Sequence, residues 1–270
     1  MLSFGKLRSS YGATGNDQIA DYGYLDTYSP APLYDGRRGL YPTRLFNAVY
    51  GWEKNIKLEA ALELGFAGDR VLLTANWYRN RSSNQLVNYT LPGVTGFSSI
   101  RSNLSALVEN TGLEFEMQST NIIRRAFTWS SSVNLSIPKN RLLEFPDIAI
   151  SSYNSQYTIG QPLNIFKGAG LEAVDPDKGI YVFKDMDGDG KVSAPNDLTF
   201  TKQIGPVFFG GIQNNLQYRG WQLSVLFQFV KQHHYNYLYT IGVPGTVVNQ
   251  PLPVLDRWRQ PGDRTDIQQF

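Results

Sequence analysis

The strongest constraint on the fold is a strict period-two alternation of apolar residues between Asn55 and Phe66. Six positions in steps of two, from Ile56 to Phe66, are Ile, Leu, Ala, Leu, Leu and Phe, and the residues between them are polar or small. An α-helix would scatter these side chains around its circumference, whereas a β-strand places them on one face. The segment is therefore predicted to be a strand with one apolar and one polar face.

The same alternation recurs in three predicted hairpins and one lone strand near the start, at roughly 2–12. The hairpins occupy 55–78, with a turn at 67–69, then 112–137, and finally 208–229, with a turn at Arg219-Gly220. Links within hairpins are short, and the links between them are predicted to be long, at roughly 13–54, 81–106, 138–206 and 232–270. This layout predicts an all-β fold with about seven long antiparallel strands.

Alternating short turns and long loops are typical of an outer-membrane β-barrel, in which the turns face the periplasm and the loops face outside. The apolar faces would then meet outer-membrane lipid, and the polar faces would line the lumen. Predicted strands of about ten to twelve residues suit a tilted membrane crossing. Tryptophan and tyrosine lie near strand ends, as in interfacial girdles, at Trp52, Trp77, Tyr78, Tyr218 and Trp221. The alternative is a secreted, calcium-binding β-sandwich of carbohydrate-binding or adhesin type, with its polar faces in solvent.

Composition excludes several other classes. The chain has no cysteine and only two histidines, His233 and His234, which rules out disulfides and cysteine chemistry and argues against a multi-histidine metal centre. A net charge of +2 gives no electrostatic case for nucleic acid. Glu114 and Glu116 share a strand face and are interpreted as hydrated lumen wall, with the acid and base of a polysaccharide-cleaving enzyme as the alternative. Because no catalytic motif is present, we expect no enzymatic activity.

One local motif predicts a metal site. Residues 185–192, Asp-Met-Asp-Gly-Asp-Gly-Lys-Val, match the first two-thirds of an EF-hand-type calcium loop, with acids at positions 1, 3 and 5 and glycine at position 6. Position 12 is Asn196 instead of an acid, and Asp197 follows one residue late. The candidate ligand set for a structural Ca²⁺ is Asp185, Asp187, Asp189, Lys191 and Asp197. The alternative is a turn stabilised by its own aspartate side chains.

A series of short motifs resembles one family. Residues 7–16, Leu-Arg-Ser-Ser-Tyr-Gly-Ala-Thr-Gly-Asn, are similar to a segment of the SusC/RagA-type TonB-linked outer-membrane receptors of Bacteroidota. Further pieces follow in that family's order, at Trp52-Glu53, 110–114, 127–129, 160–163, Asp175-Pro176, 185–192, Gly205-Pro206, 210–214, Arg257-Trp258 and 261–263. Together they cover nearly the whole chain.

The resemblance implies a transporter component. Such receptors have an N-terminal plug inside a 22-stranded barrel, and TonB with ExbB and ExbD energises them from the inner membrane. They pair with a SusD-like surface lipoprotein and import glycans, or peptides in some members. The resemblance therefore implies a multi-pass β-barrel of the Gram-negative outer membrane that takes up nutrients, with a glycan as the expected cargo.

Measured against that family, residues 1–270 are expected to be one partial barrel domain. A signal peptide, a TonB-contacting box, the plug and the first part of the barrel are not recognised, and relatives continue for several strands after 261–263. Phe270 is interpreted as a truncation point, because residues 266–269 lack the alternation of a terminal strand. Seven strands cannot close a 22-stranded wall, so transport by this stretch alone is not expected.

Overall fold

The computed structural model describes residues 1–17, 19–236 and 247–269. Phe270 and part of the predicted link 232–270 lie outside them. The strands of the described residues are β1 (Leu2–Asn16), β2 (Thr27–Tyr34), β3 (Arg37–Arg44), β4 (Glu53–Phe66), β5 (Val71–Thr90), β6 (Ser99–Arg124), β7 (Phe127–Glu144), β8 (Ile165–Gly168), β9 (Leu171–Val174), β10 (Tyr181–Phe183), β11 (Phe200–Gln203), β12 (Gly205–Tyr218) and β13 (Trp221–His233). Short 3₁₀ segments occur at Gly93–Thr95, Ile148–Ile150 and Leu252–Asp256. None of the helical segments in the described ranges is long and apolar enough to span a membrane.

Seven strands form one antiparallel sheet in the order β1-β4-β5-β6-β7-β12-β13. Three two-stranded ribbons, β2–β3, β8–β11 and β9–β10, lie within the long links. The hairpin turns at 67–70, 125–126 and 219–220 all fall at one end of the sheet, which we call the turn end. The links 17–52, 91–98 and 145–204 fall at the other, the loop end. The prediction of about seven long antiparallel strands is confirmed.

The register aligns the two faces across the whole sheet. Because directly paired residues on neighbouring strands point to the same side, transverse rows can be traced from strand to strand. One row is Leu7, Leu62, Ala75, Phe115, Leu135, Gly210 and Phe229. A neighbouring row on the opposite side is Lys6, Glu63, Thr74, Glu116, Asn134, Gly211 and Gln228. The first row belongs to what we call the apolar face, and the second to the polar face.

The strands near the loop end are longer than predicted. The expected link 81–106 is wrong, because β5 and β6 remain paired as far as Thr90 and Ser99, which leaves only 91–98 between them. In this extension charged side chains occupy the apolar face. One example is the ion pair in which Arg81 Nε donates to Glu109 Oε2 at 2.8 Å. The period-two signal disappears from the sequence there, while backbone pairing continues.

The apolar face of the sheet has no covering layer among the described residues. Phe227 is 63% exposed, and Leu62 and Phe115 on the same face are also exposed. The main buried cluster lies near the loop end instead, where Ala106, Val108, Leu142 and Phe145 pack with Tyr153, Tyr157 and Leu163. The sandwich alternative is not supported, because a sandwich would bury this face against a second sheet.

Candidate functional site

The polar face of β4 to β7 is the candidate surface toward the lumen. Period-two alternation places asparagine, serine, glutamate and tyrosine on this side, and the paired rows bring them together. Glu63 on β4 binds Arg8 on β1, with 2.6 Å between Arg8 Nη2 and Glu63 Oε1, and Lys6 Nζ lies 4.0 Å from Glu63 Oε2. These ion pairs join the edge strand to its neighbour on the polar side.

A concavity of about 610 Å³ lies on this face, lined among others by Arg8, Glu59, Asn76, Tyr78 and Glu114. The Tyr78 ring covers Gly112, its direct cross-strand partner, so closely that a Cβ at position 112 would lie 2.5 Å from the ring. Amide, carboxylate and phenol groups therefore line the hollow. Such groups donate and accept hydrogen bonds with neutral polar ligands such as sugars.

Glu114 and Glu116 lie on the polar face, as the alternation predicts. They pair across the ladder with Asn76 and Thr74 on β5 and with Ser136 and Asn134 on β7. Both are exposed, and neither makes an ion pair within the described part of the chain. The two carboxylates thus sit on an open sheet surface, which agrees with a hydrated wall.

At the loop end the sheet splits between β7 and β12. Residues Phe127–Ser136 of β7 pair with Phe209–Tyr218 of β12. Beyond Ser136, β7 forms backbone bonds on this side with the link 145–204 instead. Leu142 donates its N–H to the carbonyl of Gln161 at 2.9 Å and accepts from Gly160 at 2.7 Å. A cavity of about 610 Å³ lies beside the split and includes Lys139, Arg141 and Gln203 in its lining.

The predicted calcium turn brings three carboxylates together. Asp185, Asp187 and Asp189 are exposed, and each offers an oxygen within 4.8 Å of the others. Both Asp185 oxygens accept backbone N–H groups, from Gly188 at 2.7 Å and from Gly190 at 2.8 Å. The Gly190 N–H is the main cause that holds the pKa of Asp185 below its ordinary value.

The other two predicted ligands of the calcium turn occupy different places. Asp197 is 0% exposed, and its carboxylate accepts from the backbone N–H groups of Met186 and Ser193 at 2.7 Å each. Lys191 donates its backbone N–H to Asp189 Oδ1 at 2.7 Å. Asp197 therefore anchors the turn from inside, and the exposed hard-oxygen donor set that suits Ca²⁺ comes from the three other aspartates. Calcium binding here stays a prediction.

Two contacts of the loop end were not anticipated from the sequence. Asn103 on β6 donates from Nδ2 to the carbonyl of Gly51 at 2.8 Å and accepts the Gly51 N–H at 2.9 Å. This reciprocal amide pair fixes the link 17–52 against the sheet. No local sequence signal marks it, because the partners are 52 residues apart.

The second contact joins two motif pieces that are distant in sequence. Trp258 Nε1 donates to the carbonyl of Pro176 at 2.8 Å, across 82 residues. Gly179, at φ +67°, lies directly against the Trp258 ring, and a Cβ at this position would overlap the ring. The Asp175-Pro176 and Arg257-Trp258 pieces thus belong to one structural unit.

No family model matches the chain, but relatives match over most of its length. TonB-dependent receptor P39 of Formosa agariphila is 27% identical over 313 residues, covering 96% of this chain and 30% of the relative. TonB-dependent receptor P3 of the same organism is 29% identical, covering 97% of this chain and 29% of the relative. TonB-dependent receptor SusC of Bacteroides thetaiotaomicron is 24% identical, covering 83% and 24%. The chain thus spans roughly a quarter to a third of the relatives' length.

Solved structures agree with the fold. The RagAB peptide transporter matches with a TM-score of 0.78 at 21% identity, covering 99% of this chain and 31% of that chain. The RagAB peptide importer in its closed-closed state matches with a TM-score of 0.81 at 22% identity, covering 99% and 31%. These two likenesses establish the backbone architecture from β1 to β13.

The chain folds as an open, seven-stranded antiparallel sheet that matches part of these solved structures. Its curated relatives are TonB-dependent receptors, SusC among them, and the resemblance to SusC/RagA-type receptors drawn from the motifs is confirmed. Relatives named as receptors are consistent with the expectation that the chain is not an enzyme.

Proposed function

We propose that the chain forms part of the barrel wall of a SusC-type, TonB-dependent nutrient importer in the outer membrane. The observation that carries the proposal is the uncovered apolar face of the seven-stranded sheet, whose other face is polar. Exposed apolar area of this extent is unfavourable in water and favourable in lipid. The orientation follows from the turns, which would face the periplasm, and the long links, which would face outside.

The apolar face has the height that a membrane requires. On β4 the apolar positions run from Ile56 to Phe66, and on β5 from Val71 to Trp77. At about 3.3 Å per residue and a tilt of about 40°, the eleven residues of β4 give a band of about 25 Å, the height of the band in known barrels. Arg79 and Arg81 follow on the same face of β5 and pair with Leu58 and Ile56 at the edge of this band, where lipid headgroups would begin.

We propose a glycan or oligosaccharide as the cargo class. Support comes from the polar face, where neutral hydrogen-bonding side chains outnumber charged ones along β5, β6 and β7. Asn76, Asn80, Asn110, Asn134 and Ser136 share this side with Tyr78, whose ring offers a stacking surface. Sugar hydroxyls match amide and hydroxyl groups, and sugar ring faces match an aromatic ring. A peptide cargo is the competing outcome of the test.

The proposal for the whole receptor includes partners. A SusD-like surface lipoprotein would contact the links at the loop end, and TonB with ExbB and ExbD would supply the energy for import. Outer-membrane lipid would surround the apolar face. The chain spans only a part of its relatives' length, so these partners are assigned to the receptor as a whole.

The test uses the native cell. The gene that encodes the chain is deleted, and growth and labelled uptake are measured on a panel of oligosaccharides and a panel of peptides. We expect loss of uptake of at least one oligosaccharide, with restoration by the unchanged gene, and a heat-modifiable band in the outer-membrane fraction. Loss of peptide uptake alone would contradict the glycan assignment and leave the importer in place. A protein absent from the outer membrane would contradict the proposal itself.

A further inference from the structure

Three arginines converge at the turn end of the sheet. Arg124 and Arg125 lie where β6 turns into β7, and Arg219 lies in the two-residue turn between β12 and β13. The two turns are bonded to each other, because Arg219 donates its N–H to the carbonyl of Ala126 at 3.2 Å. All three side chains line one open concavity of about 510 Å³, together with Phe127 and Gln217.

Among the described residues, these arginines have no acidic partner. No aspartate or glutamate occurs in 119–131 or in 214–224, and none of the three guanidinium groups makes an ion pair in the described ranges. The neighbouring turn supplies one acid, Asp69, and its carboxylate is engaged by the Ser3 hydroxyl at 2.7 Å. The concavity is therefore a concentrated positive site open to solvent.

The site lies directly below an aromatic row on the apolar face. The last paired row of the sheet at this end is Arg124, Phe127, Tyr218 and Trp221. Trp221 is 81% exposed and Tyr218 is 50% exposed, so the row is a free aromatic edge. The next row on this face is apolar and consists of Ile122, Trp129, Leu216 and Leu223. Aromatic side chains at a membrane border sit at the level of the lipid headgroups.

Resting on the proposed membrane orientation, we propose that the concavity of Arg124, Arg125 and Arg219 binds the phosphate of an anionic phospholipid in the periplasmic leaflet. The acyl chains would lie along the apolar band above Phe127 and Tyr218, and the guanidinium groups would donate to the phosphate oxygens. The Arg219 guanidinium carbon lies 5.4 Å from the centre of the Tyr218 ring, which steadies the cation beside the aromatic row. The positive charge of the three arginines complements the phosphate, and the adjoining apolar face would contact acyl chains. A phospholipid uses both features, whereas a free anion uses only the first.

The test compares lipid retention in the membrane protein. The receptor whose barrel wall includes the chain is reconstituted into nanodiscs of equal phosphatidylglycerol and phosphatidylcholine, and lipids retained after transfer to detergent are counted by native mass spectrometry. The variant Arg124→Gln/Arg125→Gln/Arg219→Gln is compared with Arg37→Gln/Arg38→Gln/Arg44→Gln, which removes the same charge from β3. We expect enrichment of phosphatidylglycerol of about fivefold or more in the unchanged protein and in the β3 variant, and its loss in the turn variant.

Each other outcome overturns the proposal. Equal retention of the two lipids by the unchanged protein, or unchanged enrichment in the turn variant, would exclude the site. Inorganic phosphate that displaces phosphatidylglycerol at millimolar concentration would show an anion site without lipid selectivity. If the receptor inserts into nanodiscs but shows no lipid preference, the proposed lipid site is excluded and the proposed function stands. A receptor that enters no bilayer would contradict both.

Discussion

At the scale of the residue, two glycines on the sheet differ in the space that they leave for a side chain. Gly210 on β12 lies so close to β7 that a Cβ would overlap the backbone carbonyl oxygen of Asn134 and approach the Phe229 ring to 2.7 Å. Gly12 on β1 has nothing within 4 Å of the same position. A backbone atom cannot move aside as a flexible side chain can, so Gly210 is required for the close contact of β7, β12 and β13.

We expect Gly210→Ala to destabilise the folded sheet by about 1–3 kcal/mol, because the added methyl group forces the strands apart. Gly12→Ala, a change of the same size on an open edge, is the matched control and should leave stability within about 0.5 kcal/mol. Urea-dependent loss of the heat-modifiable form in lipid measures both. Equal stability of the two variants would show that β12 can shift away from Asn134 without cost.

The residue scale also shows what the sequence could predict. Alternation in 55–66 places Leu62 and Glu63 on opposite faces, and the structure confirms this because the side-chain period of a strand is fixed at two. The same reasoning found Glu114 and Glu116 on one face. It could not find the Asn103–Gly51 pair or the Trp258–Pro176 contact, since each joins distant residues through geometry that no local pattern encodes.

At the scale of the element, the turn at 185–197 is held by carboxylates that accept backbone N–H groups. Asp185 has a lowered pKa, chiefly through the Gly190 N–H, so its bonds stabilise the turn while the carboxylate is charged. A lowered folded pKa gives a contribution that is complete above the unfolded pKa and is lost as the pH falls through the folded one. The turn should therefore be intact at neutral pH and open only in acid.

We expect the amide protons of Gly188 and Gly190 to be protected from exchange at neutral pH and to lose protection as the pH falls through the pKa of Asp185. Asp185→Asn should remove most of this pH dependence, because an amide keeps one acceptor and does not titrate in this range. Exchange followed by mass spectrometry, corrected for the intrinsic pH dependence of exchange, measures the effect. The same pH profile in the variant would assign the transition to another group.

The calcium prediction belongs to the same element. The predicted Ca²⁺ ligands are the exposed oxygens of Asp185, Asp187 and Asp189, while Asp197 keeps its buried bonds to Met186 and Ser193. We expect Asp187→Asn/Asp189→Asn to abolish heat of binding in calorimetric titration, whereas the distant control Asp147→Asn should retain it. Absence of calcium-dependent heat in the unchanged protein would leave the turn as one stabilised by its own side chains.

Element boundaries illustrate why the rest of the fold could not be predicted. The turns predicted at 67–69 and at Arg219-Gly220 are confirmed, and in both the glycine, Gly68 or Gly220, adopts a positive φ and interrupts the alternation. The ends of β5 and β6 could not be predicted, because their last pairs lie beyond the apolar positions of the sheet, where polar side chains occupy both faces. The alternation of apolar and polar residues marks only the part of a strand whose one face is apolar. Backbone hydrogen bonding between β5 and β6 continues beyond that part.

At the scale of the whole molecule, the proposed membrane orientation places the two faces of the sheet in different solvents. Phe115 and Glu116 are neighbours on β6, and they lie in the apolar row and the polar row at nearly the same height. In the proposed membrane orientation, a charge introduced at Phe115 would face lipid, and a charge at Glu116 would face water. The face therefore determines whether a polar or an apolar side chain is favoured. The free-energy cost of a charge on the lipid face depends on its depth in the bilayer.

We expect Phe115→Lys to destabilise the folded protein in lipid by about 2–4 kcal/mol, as measured for lysine near the middle of a bilayer. Glu116→Lys puts the same side chain one residue away on the polar face and should cost less than about 1 kcal/mol, since its ammonium group stays in water. Denaturant titration in vesicles of matched thickness compares the two variants. A larger loss for Glu116→Lys than for Phe115→Lys would reverse the assignment of the faces, and with it the orientation on which the proposed lipid site of Arg124, Arg125 and Arg219 depends.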